Sequence, residues 1–240
     1  YWIKLNLLRS DTLSNILKSL NSLSNYFSKD EDNTTINKLT NMLSDANNLN
    51  DQVKLNYIEK CLWPIRILDA KLPTYIIPIH PYWALHLFDE ILAEETLWGA
   101  EESLSLKNEN VYYRSKRTSW KLVSPGRILW YIKKSPKFNA TGCIRACSSL
   151  DEVVINSAKE LYKRYKKFGV YEWEDVLKTA KGDPGNSIMA IHFSGTSCLK
   201  NPISLKSLIK VVNQTDGKHP FLQSPQLISE RCFSKLFKPI

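Results

Sequence analysis

Glycine is scarce in this 240-residue chain, with eight in all and none before Gly99. A P-loop needs Gly-x-x-x-x-Gly-Lys-Ser/Thr so that bare backbone can wrap a phosphate, and no such run occurs. The Gly-rich turn that would open a helix onto the pyrophosphate of acetyl-CoA is missing too, as is a Gly-x-Ser-x-Gly nucleophile turn. Gly195-Thr196-Ser197-Cys198 has no base at motif spacing. Long apolar runs are also missing. Tyr75-Ile76-Ile77-Pro78-Ile79 and Ile128-Leu129-Trp130-Tyr131-Ile132 fall far short of the ~20 residues of a spanning helix, so no membrane partner is expected. No charged segment leading into an apolar one follows Tyr1-Trp2-Ile3-Lys4, which reads as a cut end without a secretory signal.

Cysteines are few and odd in number, five in all. Scattered at Cys61, Cys143, Cys147, Cys198 and Cys232, they suit free thiols in a reducing compartment, a cytoplasm. On a strand, Cys143 and Cys147 would share one face ~13 Å apart, too far to hold one ion or to bridge. His80, His86, His192 and His219 do not cluster, and His192 inside Met189-Ala190-Ile191-His192-Phe193 suits a hydrogen-bonded core position. No metal and no other cofactor is expected.

What the second half lacks is acid. Residues 1 to 109 carry ten Lys and Arg against fifteen Asp and Glu, whereas residues 110 to 240 carry 23 against nine. A one-signed surface attracts polyanions over roughly 8 Å at physiological salt, and nucleic acid is the common polyanion of a cytoplasm. The same charge also serves solubility.

Leu13, Ile16, Leu17, Leu20, Leu23 and Phe27 recur at helical steps after Ser10-Asp11, so residues 12 to 27 form a predicted amphipathic helix. Thr34 or Thr35 opens a second helix through Met42-Leu43. Asn50-Asp51 caps a third that bears Val53, Leu55, Ile58 and Leu62 and ends at Pro64. Residues 1 to 62 therefore read as a helical segment, and the composition changes at Trp63-Pro64. Strands are expected at Ile65 to Leu68 and Thr74 to Ile77, broken by Pro73 and Pro78. A Pro81-led helix runs through Trp83, Leu87 and Ile91 to a stop at Gly99. Strands around Val111 to Arg114, Arg127 to Lys133 and Gly142 to Cys147 suggest a meander. A helix follows through Ala158, Leu161, Tyr162 and Tyr165, then a strand from Ser187 to Phe193 and helices at Ser204 to Val212 and Ser229 to Phe237.

Within this frame, Tyr112-Tyr113-Arg114-Ser115-Lys116-Arg117-Thr118-Ser119-Trp120-Lys121 interleaves aromatics with cations. Cations engage phosphates while aromatic faces stack bases, at ~1–3 kcal/mol per base. An ordinary strand with a solvated basic tip has the same composition. Lys133-Lys134-Ser135-Pro136-Lys137 reads as a basic hairpin tip near Arg127 and Arg145, a pattern that also discourages edge pairing. Lys159, Lys163, Arg164, Lys166 and Lys167 form a basic helix face able to dock on phosphates or simply to be solvated.

The order of signals from Ile79 onward resembles the ASCH-type domains of the PUA-like superfold. The counterparts are the helix Trp83 to Ile91, the segment end Tyr112-Tyr113-Arg114, the strand Gly126 to Tyr131 and a Pro-led helix at Asn201-Pro202-Ile203-Ser204-Leu205. The stretch is also similar to the ASCH-like tails that follow PIN or GNAT acetyltransferase domains in some prokaryotic proteins. Trp63-Pro64-Ile65, Leu87-Phe88-Asp89-Glu90, Ile144-Arg145-Ala146-Cys147-Ser148 and Gly169-Val170-Tyr171-Glu172-Trp173 carry that likeness. The resemblance implies an α+β fold, a small mixed PUA-like β-barrel flanked by helices over residues 63 to 240, with residues 1 to 62 at most the tail of an upstream acetyltransferase-like domain.

Catalytic ASCH members place a Lys where Gly99-Ala100-Glu101 has Glu, and a Glu where Tyr112 stands, so the likeness implies binding of RNA or a modified nucleobase more than amidase chemistry. The expected binding set is Tyr113, Arg114, Lys116, Arg117, Arg127, Trp130, Lys133, Lys134 and Arg145, serving RNA or another nucleic acid and an upstream PIN or GNAT partner. The alternatives are an ASCH-type ribonuclease or nucleobase amidohydrolase, with Arg114 stabilising an oxyanion and Glu109 or Glu172 as general base, and a structural connector.

Overall fold

The computed structural model describes residues 4–27, 37–38, 41–42, 51–88, 108–116, 121–139, 141–168 and 170–237. Two long strands, β6 (Cys143–Ser157) and β7 (Ser187–Ser204), pair antiparallel and carry the main sheet. Around them lie β5 (Gly126–Ile132), β3 (Thr74–Ile79), β4 (Glu109–Ser115) and the short β8 (Gln226–Ile228), in the order β4-β7-β6-β5-β3-β8. A second, two-stranded sheet joins β1 (Asn6–Leu8) to β2 (Ile65–Ile67) in parallel. Seven helices complete the described residues: α1 (Ser10–Phe27), α2 (Gln52–Cys61), α3 (Pro81–Leu87), α4 (Ala158–Tyr165), α5 (Trp173–Thr179), α6 (Leu205–Asp216) and α7 (Glu230–Leu236).

Local chemistry explains the boundaries. Asp51 caps α2 by accepting from the Lys54 amide, as its position before an apolar periodic run predicts. Ser157, Ser204 and Ser229 cap α4, α6 and α7 in the same way. The last helix pair corrects one expectation: Pro202 lies within β7, and Ser204 rather than a proline opens α6. Pro78 corrects another, because it sits inside β3 instead of breaking it. The Pro73 and Ile79 carbonyls accept from the Arg127 and Lys133 amides of the β5 side, so Pro78 faces the opposite edge. There β8 pairs only with Thr74 to Ile76, and the missing N–H leaves no ladder bond unmade. Of the second expected helix, residues 37–38 and 41–42 are helical and the rest lies outside the described residues, as does the Pro81-led helix beyond Phe88.

The expected meander does not form. β5 has both edges taken, by β3 in parallel and by β6, so β4 crosses to the free edge of β7. Nor does the sheet close into the expected barrel, since β4 and β8 are its two margins. It does curl. The Arg114 guanidinium of β4 donates from Nη1 to the Pro78 carbonyl of β3 at 2.9 Å, just beyond the end of β8, and the Tyr112 ring meets Trp130 edge-on at 5.7 Å.

The inner face of this curl buries Trp130, Phe193, Ile128 and Ile191, in one continuous cluster with Val111 and with residues of α3, α4 and α5. The outer face buries Leu129, Ile144, Cys147 and Ile76 under α6 and α7. A third cluster joins Leu13 and Leu17 of α1 to Leu55 and Ile58 of α2 and Ile67 of β2. At ~1.5–3 kcal/mol per fully buried large side chain, these faces supply the driving force for the curl. One extra residue in β7 between the pairs Cys147 with Ser197 and Ser149 with Ser194 makes a bulge at Gly195. Its φ of +55° and the Trp63 ring, 3.2 Å from where a Cβ would stand, both select glycine.

Candidate functional site

Three chain segments converge where the two margins of the sheet meet. β3 runs out at Ile79, and His80 caps α3 by accepting the Tyr82 amide on Nδ1 at 3.3 Å. β5 runs out beside it, with the Lys133 amide on the Ile79 carbonyl at 2.9 Å. β4 arrives from the far margin carrying Arg114, whose Nη1 takes the Pro78 carbonyl and whose Nη2 reaches the Gln223 carbonyl at 3.4 Å. Its guanidinium also lies 5.7 Å from the Tyr112 ring centre, half-buried. Lys116, Lys133, Lys134 and Lys137 stand exposed around it.

Like charges crowd this end. Desolvation first and then the Arg114 guanidinium hold the Lys133 amine below its ordinary value. Desolvation first and then the Lys133 ammonium depress His80 below the usual imidazole range. Among the described residues no carboxylate forms an ion pair with Lys116, Lys133 or Lys134. Two exposed aromatics flank the cations: Tyr82, 48% exposed, beside His80, and Phe221, 59% exposed, two residues from the Gln223 carbonyl that Arg114 takes. Lys116, Lys133 and Lys134, in no ion pair among the described residues, stand beside rings open to solvent, and such a set can bind phosphates and stack bases.

The nine residues singled out in the sequence divide. Arg114, Lys116, Lys133 and Lys134 come together at this rim. Arg117 lies outside the described residues. Tyr113 is buried on the face of β4 opposite Tyr112, where its hydroxyl donates to the Leu161 carbonyl of α4, so its ring has no face to offer a base. Trp130 is fully buried, with Nε1 on Ser148 Oγ at 2.8 Å. Arg145 is buried in β6. Arg127 is buried on the outer face, where it makes a two-pronged pair with the Glu59 carboxylate of α2, donates to the Ile67 carbonyl at 2.7 Å and covers the Phe233 ring at 4.5 Å. Its charge is spent inside the molecule.

His80, Tyr82 and Phe221 were not singled out. Tyr82 was legible: with Pro81, Ala84, Leu85 and Leu87 buried, the helical period leaves Tyr82 and His86 on the other face. Phe221 has no signal of its own, being placed by Arg114 from more than a hundred residues away.

The two carboxylates suggested as general bases lie on different elements. Glu109 opens β4, about 16 Å of strand from Arg114, and pairs with His192 Nε2 at 3.3 Å. Glu172 precedes α5 without a side-chain cap bond. His192 packs between the rings of Tyr165 and Phe168 rather than facing the rim. Among the described residues no three His, Cys, Asp or Glu side chains gather to hold a metal, and no helix is long and apolar enough to cross a membrane. A cleft of roughly 700 Å³ lies apart, lined by Arg9, Asp69, Ser229, Arg231 and Lys235 of mixed charge.

No family model matches the chain, and no curated protein matches it. Among solved structures, the ASCH protein of Zymomonas mobilis aligns at 16% identity with a TM-score of 0.47, over 68% of this chain and 92% of that one. The N-terminal domain of Staphylothermus marinus McrB aligns at 13% identity with a TM-score of 0.32, over 62% of this chain and 88% of that one. At those values neither likeness transfers a functional residue to this chain.

Proposed function

We propose that this chain is an ASCH-type, PUA-like module that binds single-stranded RNA, or an exposed nucleobase within it, at the rim where β3, β4 and β5 end. The observation that carries the reading is the crowding of His80, Arg114 and Lys133, with Lys116, Lys133 and Lys134 exposed and in no ion pair among the described residues, between the exposed rings of Tyr82 and Phe221. Burial first, and then the neighbouring cation, depresses His80 and Lys133; a phosphate would offset both, and the two rings offer stacking faces. An enzymatic reading has less support, because Glu109 lies at the far end of β4 and pairs with His192.

The test is fluorescence anisotropy with a 12-nucleotide RNA and its DNA counterpart across a salt series. The logarithm of the affinity should fall linearly with the logarithm of salt, at about 0.7 per phosphate contact for single strands. The triple variant K116E/K133E/K134E should abolish measurable binding at 0.15 M salt, whereas K18E/K54E should not. A wild-type protein that binds neither oligomer at low salt would end this reading.

A further inference from the structure

Away from the rim, α4 carries a row of like charge that its own fold does not explain. Its buried side is Ala158, Leu161 and Tyr165, and its exposed side is Lys159, Glu160, Lys163 and Arg164, continued in the next turn by Lys166 and Lys167. Of these cations Arg164 is accounted for. Its Nη2 takes both oxygens of Glu152 at 2.8 and 2.9 Å, and the Tyr165 hydroxyl joins the same carboxylate at 2.5 Å, so the helix is fastened to β6. Lys159 and Lys163 stand one four-residue step apart on the helix, and Lys167 follows at the same spacing in the turn after it. Among the described residues none of the three pairs with a carboxylate, and the Lys167 ammonium rests over the Phe168 ring at 4.7 Å.

Two ordinary explanations fall short. Cations near a helix C-terminus complement the dipole, which accounts for Lys163 and Lys167 but not for Lys159 in the first turn, where the dipole opposes it. A solvated helix face normally alternates sign at four-residue steps, because like charges so placed repel and unlike ones attract. This row repels itself. An external polyanion lying along it would turn the repulsion into attraction.

We infer that the row Lys159, Lys163 and Lys167 is a second phosphate track, along which the nucleic-acid strand held at the rim continues. The inference rests on the function proposed above and extends its footprint. β4 lies between the two places: Arg114 leaves one of its faces for the rim, and Tyr113, on the other, donates its hydroxyl to Leu161 in the middle of α4, so a nucleic-acid strand passes from one to the other around the edge of β4. The row offers no exposed ring, so it binds backbone without regard to base. The rim engages a few nucleotides and α4 adds affinity only for longer strands.

The probes are RNA oligomers of 4 and 16 nucleotides, measured by anisotropy on wild type and on K159Q/K163Q/K167Q, with thermal melting to confirm the fold. The lysines are exposed and the change is to neutral side chains, so the helix keeps its packing. Near 0.15 M salt, where fields fade over about 8 Å, the 4-mer should bind the variant within twofold of wild type. The 16-mer should lose about tenfold or more, and its salt slope should fall by about 2, three contacts at roughly 0.7 each. A 16-mer that binds the variant as it binds wild type overturns the α4 track and leaves the rim standing. Equal losses for both oligomers overturn it as well, because they would mark the lysines as part of the rim itself. Wild type that binds neither oligomer sinks the proposed function and this extension together.

Discussion

Arg114 does two jobs with one side chain. It fastens β4 to β3 through the Pro78 carbonyl and sets a half-buried charge among Lys133, His80 and Lys116. Tyr82, whose ring meets Trp83 and His86 edge-on, and Phe221 both keep a face open to solvent, which makes them a test of stacking. Replacing either by Ala should weaken RNA binding by ~1–3 kcal/mol while leaving the salt slope unchanged, since stacking releases no counterions; anisotropy across a salt series reads both terms. His80 offers a test by pH. Its folded pKa lies below the ordinary value, so it is neutral at pH 7, and a bound phosphate favours the charged form. RNA affinity should therefore rise as pH falls from 8 to 5.5, and H80Q should flatten that rise. Thiol chemistry gives a third residue-scale expectation. Cys61 is exposed while the other four cysteines are buried, and burial pushes Cys232 up to about 11. Maleimide at pH 7 should label Cys61 rapidly and the remaining four only on unfolding, as mass spectrometry would count.

Among the elements, α2 is tied into the sheet by charge. Glu59 receives the two-pronged pair from Arg127 of β5, donates nothing, and accepts the Ile67 amide at 2.7 Å, with Arg66 Nε 3.8 Å away. Lys60 pairs with Asp151 of β6 at 2.5 Å. Removing one partner of a buried pair strands the other, at a cost of about 3–5 kcal/mol. E59Q should lower unfolding stability by that order in urea titration, and E59Q combined with R127M should recover part of it. This pair also shows why Arg127 was misread from sequence. A cation alternating with apolar residues on a strand suggests a surface stripe, and its partner lies 68 residues earlier on a helix whose packing no local pattern reveals. Capping residues and helical periods, by contrast, are local chemistry, so α1, α2, α4 and the Pro81 start of α3 were legible. α5, β1 and β8 were not, because three strand residues or two helical turns bury too few side chains to leave a period.

For the molecule as a whole, the α+β content and most strand positions could be read, but the pairing of β4 with β7 and the open margins could not. Strand order depends on which edges remain free after β3 and β6 have taken β5, a competition among distant segments. The rim was legible as a cluster of cations and illegible as a place. Arg114, Lys116, Lys133 and Lys134 were named from composition, while the rings that flank them depend on how the sheet curls. A sheet whose margins are joined by a guanidinium instead of a ladder of amides has a seam, and two of its stitches differ in strength. Nη1 holds Pro78 at 2.9 Å, but Nη2 holds Gln223 at 3.4 Å. On the proposed function, a phosphate arriving at the rim would compete for the weaker stitch and, by taking it, would free the turn that carries Phe221 to swing its ring onto a base while β4 stays fastened. Occupancy of the site and slack in that turn are then two readings of one exchange, and amide hydrogens around residues 221–224 should exchange faster when RNA is bound.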